Sequence, residues 1–198
     1  MKNEIVAHND LKIRIKDNFF NPTDSNQLLE KLIARLPWKS MVIKMFGKDT
    51  LIPRLQCWVG DKGCDYKYSG KKLNRQDWTK DLKIIREKIY QEVQIDFNSV
   101  LVNYYRDGKD SMGWHADDEK ELGPSPTIAS ISFGSERDLV FRNKITKETL
   151  SIPQSHGCLI LIDGKTQKNW QHSIKKTQKV IGPRINLTFR SIIDKNNF

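Results

Sequence analysis

Leu11, Ile13 and Ile15 alternate with Lys12, Arg14 and Lys16, a period of two that predicts a strand with one wet face. Asp24 followed by Gln27 has the form of a capping box. Leu28, Leu29, Leu32, Ile33 and Leu36 then recur on one helical stripe, which Pro37 ends. A second helix is predicted from near Asp77, carrying Trp78, Leu82, Ile85, Ile89 and Val93 at helical spacing. From Phe97 the period changes to two. Strand-like runs follow at 99–105, 128–133, 138–142, 149–152, 158–162 and 184–190, punctuated by Gly, Pro, Asn and Asp. Two helices followed by many short strands predict an α+β chain, a double-sheet β fold buttressed by helices on one face.

The 198 residues fit one domain, expected to span 1–198, and 37% hydrophobic with 29% charged residues excludes wholesale disorder. The longest apolar run, 158–162, is far too short to cross a bilayer, and the first residues carry no signal-peptide core. Three cysteines, Cys57, Cys64 and Cys158, form no CxxC pair, so a reducing intracellular compartment is expected: cytoplasmic in a bacterium, nuclear in a eukaryote. The net charge of +10 suggests a polyanionic partner. Its distribution adds detail: 19 basic against 13 acidic residues in 1–100, 7 against 9 in 101–150, and 8 against 2 in 151–198. A basic body surrounds an acidic centre, Asp117-Asp118-Glu119 with Glu121.

Of the four histidines, His115 stands two residues before Asp117, which in an extended segment puts both side chains on one face. His172 lies far downstream, where a further strand could carry it across to complete a two-His-one-carboxylate face. Such a face holds Fe(II) on one side and leaves other positions open. In the last strand Arg184, Asn186, Thr188 and Arg190 share one face, while Ile185, Leu187 and Phe189 share the other. Two arginines on a buried face need anions, and a small dicarboxylate would serve. Asn103 and Tyr105, on one face of an earlier strand, can both hydrogen-bond carboxylate oxygens.

Asn103-x-Tyr105, His115-x-Asp117, His172 and Arg184-x-Asn186-x-Thr188-x-Arg190, in that order, resemble the AlkB family of Fe(II)/2-oxoglutarate-dependent dioxygenases. The resemblance runs from about Phe46 to Arg190. It is closest to the branch that repairs alkylated bases in DNA, whose pattern fits Pro53-Arg54, 66–70, 114–119, 128–134 and 183–190. It implies a double-stranded β-helix (jelly roll), with a catalytic core over 96–192 and an N-terminal extension of helices and substrate-reading hairpins over 1–95. It also implies His115, Asp117 and His172 as iron ligands. Arg184, with Tyr105 and Asn186, would hold the distal carboxylate of 2-oxoglutarate. Arg190 and Asn103 would sit at its metal-chelating end, and Thr188 would line the same site. The implied reaction uses O2 and 2-oxoglutarate to hydroxylate a methyl group on a base nitrogen. Succinate and CO2 are released, then formaldehyde as the hemiaminal collapses.

Methylation at N1 of adenine or N3 of cytosine makes a base cationic, which suits carboxylates at the site and a basic rim for phosphates. Asp118 is the first candidate for the exocyclic amine and Glu119 the second. Tyr66 and Tyr68 could stack a flipped base against His172. Lys44-Met45-Phe46-Gly47-Lys48 reads as a hairpin tip, with Phe46 as a wedge into a base stack. Lys175, Lys176 and Lys179 could grip phosphates. His8, His156 and the thiols receive no role. The expected partner is DNA, duplex or single-stranded, acted on by a monomer without a membrane. The rival readings are an RNA or tRNA demethylase of the same fold, a silent nucleic-acid-binding relative, and an oxygenase of protein side chains.

Overall fold

The computed structural model describes residues 3–45, 47–64, 67–68, 71–72 and 74–193. In chain order the elements are β1 (Asn3–His8), β2 (Leu11–Lys16), α1 (Pro22–Arg35), β3 (Val42–Met45), β4 (Lys48–Leu51), β5 (Leu55–Gly60), β6 (Lys67–Tyr68) and β7 (Lys71–Lys72). There follow α2 (Lys80–Val93), β8 (Ser99–Tyr105), β9 (Met112–His115), β10 (Ile128–Gly134), β11 (Arg137–Asn143) and β12 (Thr149–Gln154). The last are β13 (Leu159–Ile162), α3 (Gly164–Asn169), β14 (Trp170–Ile174) and β15 (Arg184–Arg190).

Two antiparallel sheets face one another as a jelly roll. The major sheet has seven strands in the order β1-β2-β13-β10-β15-β8-β5, and the minor sheet has four, β12-β11-β14-β9. Alternation along the strands sets the layers. Ala129, Ile131 and Phe133 of β10, with Ile185, Leu187 and Phe189 of β15, are buried with Leu28 and Leu32 of α1 and Leu82, Ile85 and Ile89 of α2. Burying each such side chain contributes roughly 1.5–3 kcal/mol, so this layer holds the helices to the sheet. The opposite faces of the same strands look toward the minor sheet. There Ile128, Leu101, Leu139, Phe141, Ile152 and Ile174 form a second apolar layer around the polar residues of the site.

Both sequence-derived helices exist, with different starts. Asn21 caps α1 by accepting from the Asp24 N–H at 2.9 Å, and Pro22 fills the first helical position. Proline's fixed φ suits that position, so the Asp24–Gln27 pair lies inside the helix rather than opening it. Likewise Thr79 caps α2, and Trp78 stays outside it, stacked on Phe189 with ring centroids 6.3 Å apart. Strands β3 and β4 pair with Met45 opposite Lys48, as the hairpin reading expects. No described helix is long and apolar enough to cross a membrane.

Candidate active site

The minor sheet brings the two distant histidines together. Strand β14 pairs with β9 so that His172 lies opposite His115, followed by an irregularity in register before Ile174 meets Met112. The imidazole centroids are 4.2 Å apart. Asp117 lies two residues beyond the end of β9, its backbone N–H donating to Oε1 of Gln167 on α3 at 3.0 Å. One ligand atom from each of His115, Asp117 and His172 lies within 4.8 Å of the others, the only such cluster among the described residues. Nδ1 of His115 is 3.0 Å from the Gly113 carbonyl. A proton on Nδ1 leaves the Nε2 lone pair for a metal. Nε2 of His172 is 3.8 Å from Oδ2 of Asp117, while Oδ1 of that carboxylate accepts from Nη2 of Arg190 on the opposing sheet.

The protonation states are those a metal needs. Burial and the neighbouring His115 push the His172 imidazole down to about 3. Burial pushes His115 below its usual range, against the pull of Asp117. Burial alone would raise Asp117, but Arg190 and the two imidazoles outweigh it and hold the carboxyl low. Two neutral imidazoles and a carboxylate are thus present near neutral pH, the donor set of a facial Fe(II) triad.

Behind the triad, Arg184 is 1% exposed. Its Nη2 donates to Ser132 Oγ at 2.9 Å and to Oε1 of Gln154. Nε and Nη1 of Arg184 are buried without a hydrogen-bond partner. The guanidinium carbon lies 5.0 Å from the Tyr105 ring, and burial pushes the guanidinium below its ordinary pKa. A buried cation with two unused donors is costly unless an anion completes it, so the residues fit a ligand carboxylate at this end. Asn186 donates to Ser130 Oγ at 2.8 Å, and its Oδ1 accepts from Thr188 Oγ1 at 3.2 Å. Asn103 Oδ1 accepts from Arg54 Nε at 3.0 Å and Gln56 Nε2 at 2.9 Å. Tyr105, Asn186, Thr188 and Arg190 line one cavity with the three triad residues.

Asp118, next in the chain to the triad's Asp117, is exposed, and Glu119 is half-buried; neither lines the cavity of the triad. Phe46 and Tyr66 lie outside the described residues, and Tyr68 is described only as part of the β6 backbone. Lys175, Lys176 and Lys179 are exposed on the segment after β14. The sequence reading missed Ser130, Ser132, Gln154 and Gln167. The two serines carried a usable signal, since they share the face of β10 opposite Ala129, Ile131 and Phe133. Thr188 and Asn186 of β15 pair with them directly. Gln154 and Gln167 carried none, because their partners lie 30 and 50 residues away.

Residues 12–190 match the model of the 2OG-Fe(II) oxygenase superfamily. The human protein "DNA oxidative demethylase ALKBH2" is 39% identical over 175 residues, covering 84% of this chain and 67% of its own length. The mouse "Alpha-ketoglutarate-dependent dioxygenase alkB homolog 3" is 35% identical over 191 residues, 91% of this chain and 66% of its own. This chain therefore spans about two thirds of these relatives. Among solved structures, "The structure of OsALKBH1" superposes with a TM-score of 0.67 over 95% of this chain and all of that one, at 12% identity. That likeness concerns the fold.

Proposed function

The chain belongs to the 2OG-Fe(II) oxygenase superfamily, and on that premise we propose that it oxidatively demethylates N-alkylated bases in DNA, of the 1-methyladenine and 3-methylcytosine type. The observation that carries the reading is a cavity lined by the His-Asp-His triad with Tyr105, Gln154, Asn186 and Thr188, behind which the buried Arg184 donates to Gln154 and keeps Nε and Nη1 without a hydrogen-bond partner. Identity of 35–39% to proteins named as DNA oxidative demethylase and alkB homolog supports the substrate class. Fe(II), with 2-oxoglutarate and O2, supplies the oxidising equivalents that hydroxylate the N-methyl carbon; the hemiaminal then yields formaldehyde and the unmodified base.

The chain's own residues bind and orient. His115, Asp117 and His172 hold the metal. Arg190 neutralises Asp117 and fixes which of its oxygens is free. Arg184, backed by Ser132 and Gln154 and flanked by Tyr105, takes the distal carboxylate of 2-oxoglutarate, with Asn186 and Thr188 beside it. Asn103 and Arg190 serve its other end. Asp118, with Glu119, faces the cationic base, while Phe46, Tyr66 and Tyr68 read the nucleotide and lysines 175, 176 and 179 take phosphates. Leu139, Ile128, Ile162 and Ile174 line the same cavity and keep water from the reacting carbon.

The test is anaerobic loading with Fe(II) and 2-oxoglutarate, then O2 and methylated oligonucleotides as single-stranded DNA, duplex DNA and RNA. Formaldehyde released with recovery of the base on DNA is the expected result. Faster turnover on RNA would move the substrate to RNA. Succinate without formaldehyde on all three would overturn the proposal.

A further inference from the structure

Lys144, one residue past β11, makes two contacts, one to the residue after the triad's Asp117 and one to α3. Its Nζ is 3.3 Å from Oδ2 of Asp118 and donates to the backbone carbonyl of Gln167 at 2.9 Å. Its own backbone N–H donates to the Asn169 carbonyl at 2.8 Å. The Lys144 and Asp118 side chains are 30% and 57% exposed. At that exposure an isolated ion pair adds little to stability, so stability does not explain the arrangement. The second anchor does something else. An ammonium on a four-carbon stem normally samples many positions, but here a carbonyl of α3 has already fixed it before it meets the carboxylate. The same residue of α3 receives the backbone N–H of Asp117 through its side chain. Gln167 thus ties down the metal ligand with one group, and the cation that holds the next carboxylate with another.

Only Oδ2 of Asp118 is engaged. Oδ1 makes no hydrogen bond among the described residues, and Asp118 is the next residue in the chain after Asp117 of the triad. We propose that Lys144 is a positioning residue for base selection. By gripping Oδ2 it presents Oδ1 to the exocyclic amine of a methylated adenine or cytosine, and so favours lesions that carry that amine. The inference rests on the base-demethylation reading above and adds a residue and a selectivity to it.

The test compares two lesions in otherwise identical single-stranded oligonucleotides. 3-Methylcytosine has an amine at position 4, and 3-methylthymine has a carbonyl there. Single-turnover kcat/KM on each is measured for the unmodified protein, Lys144→Met, Lys144→Arg, Asp118→Asn and the Lys144→Met/Asp118→Asn double variant. A charge-assisted hydrogen bond is worth enough that Lys144→Met should cost about tenfold on 3-methylcytosine and less than about twofold on 3-methylthymine. Lys144→Arg should restore most of the preference, and in the Asp118→Asn background Lys144→Met should change it no further. A parallel loss on both lesions would mark Lys144 as merely structural and overturn the inference. A rise in the 3-methylcytosine preference would show that Lys144 acts only as a charge repelling a cationic base, and would overturn it as well. If the unmodified protein releases formaldehyde from neither lesion, the demethylation reading itself has failed and this inference with it.

Discussion

Replacing Arg184 by Met separates two free energies that one side chain combines. Without co-substrate, the guanidinium is a buried cation whose Nε and Nη1 have no partner. Exchanging a buried ionic group for an apolar one of similar volume is often stabilising by ~1–4 kcal/mol. Against that, Gln154 Oε1 loses its donor and Ser132 Oγ keeps only Asn186 Nδ2, a cost of ~1–3 kcal/mol. The terms offset, so the melting temperature of the ligand-free protein should move by less than about 4 °C. With co-substrate the balance reverses. A carboxylate held by charge-assisted hydrogen bonds contributes roughly 1.5–3 kcal/mol, so affinity for 2-oxoglutarate should fall about 10- to 100-fold. The assay is thermal unfolding with Mn(II) in place of Fe(II), with and without 2-oxoglutarate at about 100 times its wild-type Kd. Linkage gives about 2.7 kcal/mol of ligand stabilisation to the wild type and only about 0.4–1.4 to the variant. An Arg184→Met protein that keeps the full ligand-induced shift would refute the assignment. So would one whose ligand-free form collapses, because the guanidinium would then be a structural member rather than a waiting receptor.

Four further outcomes are expected. Because the folded His172 titrates near 3 and an unfolded histidine near 6.5, its contribution to stability is complete above pH 6.5 and is lost as pH falls toward 3; acid unfolding followed by circular dichroism should show an uptake of protons in that window that His172→Phe removes. Addition of Mn(II) at pH 7 should release almost no protons, since both imidazoles are already neutral, and release of about one proton per metal in a weakly buffered titration would contradict this. Gln167→Ala removes the acceptor for the Asp117 N–H and should weaken metal binding about tenfold, read by equilibrium titration with Mn(II). Leu187→Ala empties a fully buried position between β15 and the helices and should cost about 2–5 kcal/mol in urea unfolding.

What the sequence could reveal depended on whether a signal is local. Alternation along 184–190 located both faces of β15 because strand geometry enforces a period of two, and the structure separates those faces into an apolar layer and the site. Helical stripes likewise marked α1 and α2. The helix starts were misplaced because two short polar segments, Asn21-Pro22 and Asp24–Gln27, both look like openings, and only the proline's backbone geometry separates them. The meeting of His172 with His115 could be raised only as a possibility, since it depends on the register between β9 and β14. Uncharged or solitary partners such as Gln154, Gln167 and Lys144 were invisible for a related reason: each acts through a contact made by a distant turn or strand, with no periodic neighbour to announce it.

The two-faced character of β15 also guards against misfolding. A slip of one residue against β10 or β8 would turn Arg184 and Arg190 toward the phenylalanines beneath the helices and expose Ile185, Leu187 and Phe189 to the polar cleft. The mispaired chain would have to strip two buried charges of the Ser132, Gln154 and Asp117 partners that hold them and forfeit its greasiest contacts at once. The side chains that equip this strand for chemistry therefore also police its alignment, and an attempt to make the cleft wholly apolar would erode the uniqueness of the pairing together with the activity.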